Sequence, residues 1–278
     1  MLPDNLAMPD SVEFDPELYR GTSRDYDRFR VPYPLAMIEA LLSRTRPSGR
    51  GRLLDLACGT GQITFAVAGR FDEVWAVDQE RDMIELVRET ARAADADHVH
   101  GVLSRAEELE APANGFELVA IGNAFHRLRR DVVAANAFRW LEPNGHIALL
   151  WSAGLWMGDL DWQRALAALL EAWKSKLGVE ARVPAGWDNA RRHRPDMAVL
   201  RAAGFEPVDS ERFPTAHDWT VDALIGFVYS TSFLPRAVLG DQAHAFERDV
   251  HHEIDRLATD NVLRETIDFS FELARRPA

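Results

Sequence analysis

The chain has 278 residues, 47% hydrophobic and 27% charged, enough for one large domain or a domain with a sizeable insert. That balance belongs to a globular protein rather than a disordered one, and no run of about 18 apolar residues reads as a membrane span. Forty-four acids against 32 bases give a net charge of −12, a field that repels phosphate backbones and disfavours nucleic acid as a partner. A single cysteine, Cys58, excludes an internal disulfide and an all-cysteine zinc site. Met1–Val12 has no apolar signal-peptide core, so the expectation is a cytoplasmic protein without a metal, with a homo-oligomer left open.

Residues 1–33, with Pro3, Pro9 and Pro16, read as an arm holding a short helix at most. Residues 34–278 read as one domain, with helical insertions at about 155–195 and 219–260. Leu35–Leu42 has apolar residues at helical spacing. Arg52–Ala57 is an apolar strand running into the turn Cys58–Gly61. A helix (Ile63–Ala68), a strand (Val74–Val77, ending at Asp78) and a helix (Arg81–Ala94) follow. Next come strands Val99–Leu103 and Phe116–Ile121, a helix Val132–Leu141 and a strand His146–Trp151. Asp161–Leu177 is amphipathic, and 178–195 is loop-like. Helix Asp196–Ala203 leads to strand Phe205–Phe213, then helices at about 221–229 and 241–258, and a last strand Glu265–Ala274. Apolar strands alternating with helices predict an α/β fold: a doubly wound, mostly parallel seven-stranded sheet covered on both faces. Ligands of such sheets bind beyond the carboxyl ends of the strands.

The strongest motif lies there: Asp55-Leu56-Ala57-Cys58-Gly59-Thr60-Gly61, after a strand and before a helix. A dinucleotide fingerprint would need a third glycine at position 64, which is Thr64; a nicotinamide oxidoreductase is therefore disfavoured. The alternative pattern, an acid on the strand and glycines in the turn, suits S-adenosylmethionine, which has no pyrophosphate to place at a helix N-terminus. Asp78 ends the second strand, where a carboxylate can accept from two ribose hydroxyls; it is equally placed to cap the helix that follows.

These residues resemble the class I S-adenosylmethionine-dependent methyltransferases, especially small-molecule members such as the trans-aconitate and quinone-biosynthesis methyltransferases. Leu53–Gly61, Val74–Asp78, Ser104–Leu109 and Phe116–His126 carry the resemblance. Weaker echoes are Phe29–Pro34, Ala203-Gly204-Phe205 and Ser230-Thr231-Ser232. The resemblance implies that Asp55, Ala57, Gly59 and Gly61 meet the methionine part, Asp78 the ribose, and Gln79, Met83, Ala106 and Glu107 the adenine. Asn123 would lie beside the sulfonium and amino group, and Arg30 would join the cofactor site. Tyr19, Tyr26 and the 219–260 insert would close over the acceptor. Cys58 is given no nucleophilic role.

For the acceptor, His126 follows the fourth strand and is the candidate general base, if the acceptor must lose a proton; it can equally shape the pocket. The family's usual aromatic after that histidine is Arg127 here, which makes the local pocket more polar. The stretch Asn123–His126 lacks the prolines of enzymes acting on base or amide nitrogens. Six of eight tryptophans lie between Trp140 and Trp187; helical spacing assigns Trp162 and Trp173 to the core and leaves Trp156 and Trp187 as acceptor-pocket candidates. Arg191-Arg192-His193-Arg194 reads as a solvated loop or, as the sharper alternative, a carboxylate clamp. The reading is methyl transfer to a small molecule through a hydroxyl or carboxylate oxygen. N- or C-methylation, or a cofactor-binding relative with other chemistry, is the alternative.

Overall fold

The computed structural model describes residues 14, 15, 17–184 and 191–278. Helices α1 (Ser23–Phe29) and α2 (Leu35–Thr45) precede β1 (Arg52–Leu56), α3 (Gln62–Val67), β2 (Glu73–Asp78), α4 (Arg81–Ala93) and β3 (Val99–Leu103). Then come β4 (Phe116–Gly122), α5 (Arg130–Trp140), β5 (Leu141–Ser152) and α6 (Asp161–Leu177). Helix Asp196–Ala202, β6 (Glu206–Trp219), helices Val221–Tyr229, Arg236–Leu239 and Ala243–Ile254, and β7 (Leu263–Arg275) complete the chain. The seven strands lie in the order β3-β2-β1-β4-β5-β7-β6. β1 to β5 are parallel, while β7 runs antiparallel to both β5 and β6. The seven-stranded doubly wound α/β sheet read from the sequence is the observed one.

Period-two alternation explains why both faces are dry. Leu53, Val74, Ala76, Leu118, Ala120, Ala148 and Leu150 face one layer, with Met37, Ile63, Ile84 and Val87 from α2, α3 and α4. Leu54, Leu56, Val77, Val119, Ile121, Ile147 and Leu149 face the other, with Val133 and Trp140 of α5 and Val199 and Leu200 of helix 196–202. Each such aliphatic side chain contributes roughly 1.5–3 kcal/mol on burial, so the strand ends that carry the site stand on a rigid base. Trp162 and Trp173 are core, as their spacing predicts. On α6, Leu170 rather than Leu169 takes the inward position.

The last two strands are longer than their sequence pattern indicates. β6 reaches Trp219 because it pairs with β7 along its whole length, from Glu206 opposite Arg275 to Trp219 opposite Leu263. Among the described residues its other edge is unpaired, and its side chains alternate between exposed and half-buried, a pattern that inward-facing hydrophobicity cannot reveal. Among the described residues no helix is long and apolar enough to cross a membrane.

Candidate active site

The chain passes from β1 to β2 and β3 in one direction, then returns to β4 and β5 on the other side of β1. The crevice at that reversal, beyond the carboxyl ends of β1 and β4, is where open α/β sheets bind ligands. A cavity of about 400 Å³ lies there, within the usual range for small-molecule sites. Its wall brings together Tyr19, Tyr26, Ala57, Gly59, Asp78, Gln79, Met83, Ala106, Glu107 and Asn123.

Two non-glycine residues at the rim hold left-handed backbone: Ala57 at φ 51° after β1 and Asn123 at φ 50° after β4. Such conformations persist where the surroundings over-determine them, and they cluster at functional sites. The Ala57 loop is pinned by Asp78. Asp78 Oδ2 accepts from the Gly59 N–H at 2.9 Å, and Oδ1 accepts from the Glu80 N–H at 2.9 Å. Asp78 therefore does not cap α4, whose N-cap is Glu80; it ties the β1 loop to the end of β2. Burial pushes its carboxyl above the ordinary range, against the pull of those N–H donors. Gly59 is in left-handed backbone, and a Cβ there would meet the Tyr26 ring at 3.4 Å, so the arm's tyrosine lies directly on the cofactor-type loop. Burial raises the Tyr26 hydroxyl above its ordinary value, leaving it a neutral phenol.

Asn123 is stapled across the sheet. Its Oδ1 accepts from the Ser152 N–H at 2.8 Å, and its Nδ2 donates to Ser152 Oγ at 3.0 Å and Tyr33 Oη at 3.2 Å. Glu107 Oε1 accepts from the Arg129 N–H at 2.9 Å. Glu80, which sequence reasoning missed, is a buried wall residue whose Oε1 accepts from the Tyr19 N–H at 3.3 Å. Burial pushes its carboxyl up to about 7. Asp82 accepts from the Gly21 N–H at 3.1 Å, so the arm is moored by carboxylates at the start of α4. Phe14, Leu18, Ser104, Arg127 and Leu128 also line the cavity. Arg127 departs from the family pattern and Ser104 opens the Ser104–Leu109 segment that carries the resemblance; Phe14, Leu18 and Leu128 have no signal in the sequence.

Several expected site residues lie off the wall. Asp55 faces α3: its Oδ2 accepts from Thr64 N–H at 3.0 Å and Thr64 Oγ1 at 2.7 Å. The residue that spoils the dinucleotide fingerprint is thus the partner of the motif's acid. Gly61 is the N-cap of α3, and a Cβ there would press on Phe65. Arg30 turns to the late helices: its Nε donates to Ser230 Oγ at 2.9 Å, and its guanidinium lies over the Tyr26 and Phe227 rings. No residue of 219–260 lines the cavity; the insert backs the arm instead, with Phe29 seated on Gly226. Trp156 packs on Phe233 with ring centroids 4.9 Å apart, away from the cavity, and Trp187 lies outside the described residues.

His126 also lies off the wall, its ring 5.5 Å from that of Trp151 and 6.5 Å from that of Phe14. Burial, and then the charges of Arg127, Arg191 and Arg130, hold its imidazole well below its ordinary value. The Arg191–Arg194 cluster is matched by the protein's own acids. Arg191 pairs with Asp196 and lies 3.7 Å over the Trp151 ring, while Arg194 makes two bonds to Asp131 at 2.9 and 2.7 Å.

The residues fit S-adenosylmethionine. Gly59, in left-handed backbone, lines the cavity beneath Tyr26, and the Asp78 carboxylate beside it would supply a charged acceptor. Residues 53–145 match the family described as "Methyltransferase domain". An uncharacterised methyltransferase of Mycobacterium tuberculosis is 27% identical over 169 residues, covering 61% of this chain and 65% of that one. A ubiquinone/menaquinone biosynthesis C-methyltransferase of Methylobacterium nodulans is 32% identical over 147 residues, covering 48% and 57%. The chain thus spans less than two thirds of the length of these curated relatives. The solved structure of a putative type II methyltransferase from Anaeromyxobacter dehalogenans shares the fold, with a TM-score of 0.61 at 20% identity, covering 90% of this chain and 99% of that one. Residues 53–145 thus match a methyltransferase domain, and the chain as a whole shares the fold of a solved methyltransferase.

Proposed function

We propose that the protein transfers a methyl group from S-adenosylmethionine to an oxygen of a small-molecule acceptor. The observation that carries this reading is the cavity at the β1/β4 crevice, where the glycine loop, Asp78, Ala106, Glu107 and Asn123 converge under the tyrosines of the arm. Ala57 and Gly59 would hold the methionine part and Asp78 the ribose. Gln79, Met83, Ala106 and Glu107 would hold the adenine. When bound, the cofactor supplies a methyl group already activated on a sulfonium. The protein then needs chiefly to align the acceptor and keep water away. Tyr19, Tyr26 and Leu18 of the arm do the second. His126, held neutral and weakly basic away from the wall, is a poor candidate for proton abstraction, so we favour an oxygen that arrives ionised, a carboxylate, over a hydroxyl.

Calorimetry tests the cofactor. S-adenosylhomocysteine, the demethylated product, should bind in the micromolar range, roughly −8 kcal/mol. Binding of NAD in its place would overturn the reading. Methyl-labelled cofactor with a panel of acids and alcohols tests the transfer. Cofactor binding with no labelled product from any of them would favour a cofactor-binding relative with other chemistry.

A further inference from the structure

We propose that Arg127 is the anchor for a carboxylate of the acceptor, which makes the substrate a small carboxylic acid; this rests on the methyl-transfer reading above. Arg127 follows Asn123 on the loop after β4 and lines the cavity. Its Nη2 donates to Ser232 Oγ at 3.2 Å, while Nε and Nη1 are buried and meet no acceptor. Among the described residues no acid pairs with it. The neighbouring arginines differ. Arg130 and Arg191 both pair with Asp196, and Arg182 donates to the carbonyls of Ser232 and Leu18.

A guanidinium cannot shed its charge, and a buried cation whose N–H groups go unmet is costly. The rings of Phe14 and Tyr19, 5.2 and 5.1 Å from its Cζ, offset part of that cost but offer no lone pair to the N–H groups. An unmatched polar group kept on a cavity wall is the kind of local inconsistency that functional sites retain. A planar oxyanion that displaces the covering Phe14 and Tyr19 rings would answer the remaining N–H groups and the charge together. The charge favours a carboxylate over a phosphate. Arg105 and Arg129 line the same cavity, but so do Asp15, Asp78, Glu80 and Glu107, so the second negative charge of a phosphate would meet more repulsion than the single charge of a carboxylate. Ser232, buried with Ser230 and Thr231, holds the guanidinium from behind.

The test is calorimetry on the full chain with acetate, benzoate and 1-naphthoate, each beside its neutral amide, and with phenyl phosphate, in the presence and absence of S-adenosylhomocysteine. The wild type should bind at least one of the acids tenfold or more tightly than its amide, and Arg127→Gln should lose that preference while keeping S-adenosylhomocysteine affinity within about threefold. Arg127→Lys should keep part of the preference, having the charge without the fork. Acids and amides that bind alike, acids that fail to bind, acid binding that survives in Arg127→Gln, or phenyl phosphate bound more tightly than every acid would each overturn the proposal. Failure of the wild type to bind S-adenosylhomocysteine would count against the methyl-transfer reading instead. Ligand-free melting separates a substrate anchor from a structural arginine. Arg127→Gln removes a cation that no acid neutralises and should melt no lower than the wild type; a large fall would make Arg127 structural and the proposal wrong.

Discussion

At the scale of single residues, the proposed site is built from side chains that also serve the fold. Asp78 pins the Gly59 loop and still presents its carboxylate to the cavity. Asp78→Asn keeps the size but loses the charge, and it leaves either the Gly59 or the Glu80 N–H without its acceptor. A hydrogen bond to a charged group is worth about 1.5–3 kcal/mol, so S-adenosylhomocysteine affinity should fall about tenfold or more, as calorimetry would record. An unchanged affinity would confine Asp78 to its loop-tying role. His126 makes a different expectation. Its burial among Trp151, Phe14 and three arginines keeps the ring neutral, so its proton resonances should not titrate between pH 8 and pH 5.5. A titration near 6.5 would restore it as a proton carrier.

Between elements, two buried carboxylates act in opposite ways. Asp196, almost fully buried, joins helix Asp196–Ala202 to α5 through Arg130 at 3.0 Å and also pairs with Arg191. Removing one partner of a buried pair leaves the other charge uncompensated, at a cost of about 3–5 kcal/mol. Asp196→Ala should destabilise by that amount in urea denaturation; a loss under about 1 kcal/mol would show that water reaches the arginines. Asp55 joins β1 to α3 through Thr64, and burial pushes its carboxyl up to about 7 from an ordinary 3.8. Between those values the folded protein binds the proton and the unfolded chain does not, so this contribution to stability is full below about pH 4 and is lost as pH rises through 7. Asp55→Asn cannot ionise. Its stability relative to the wild type should therefore improve from pH 5 to pH 8, and parallel pH profiles for the two proteins would contradict the assignment.

Over the whole molecule, the arm and the late helices form two layers above the sheet. The inner layer, Leu18 to Tyr26, touches the cavity. The outer layer, Val221–Tyr229 with Ser230–Ser232, holds the inner one through Arg30 and Phe29. Closing such layers excludes water from the reaction. Adding S-adenosylhomocysteine should therefore slow hydrogen exchange in residues 17–30 most, with weaker protection in 221–232 because that layer lies behind. Equal protection everywhere, or none in the arm, would argue that the arm is a fixed part of the fold.

Composition and hydrophobic period were sufficient for the sheet. Leu53, Val74, Leu118 and Ile147 lie in continuous apolar runs, such runs have few places to go other than a sheet buried on both faces, and the glycine turn after the first of them marked the crevice. Asp78 was legible from its place at a strand end, while Ala106 and Asn123 came only through the family resemblance; all three line the cavity. Tertiary contact alone decided the rest. Asp55 turned to Thr64 and Arg30 to Ser230, because a charged side chain takes whichever partner burial brings within reach, and no spacing along the chain records that. Trp156 went to Phe233 because an aromatic in a loop packs where the nearest apolar surface happens to be. Glu80 became part of the wall only when the arm folded onto α4. Arg127 was visible in the sequence as a departure from pattern, but its unmatched charge exists only where Ser232, Phe14 and Tyr19 surround it and, among the described residues, no acid does.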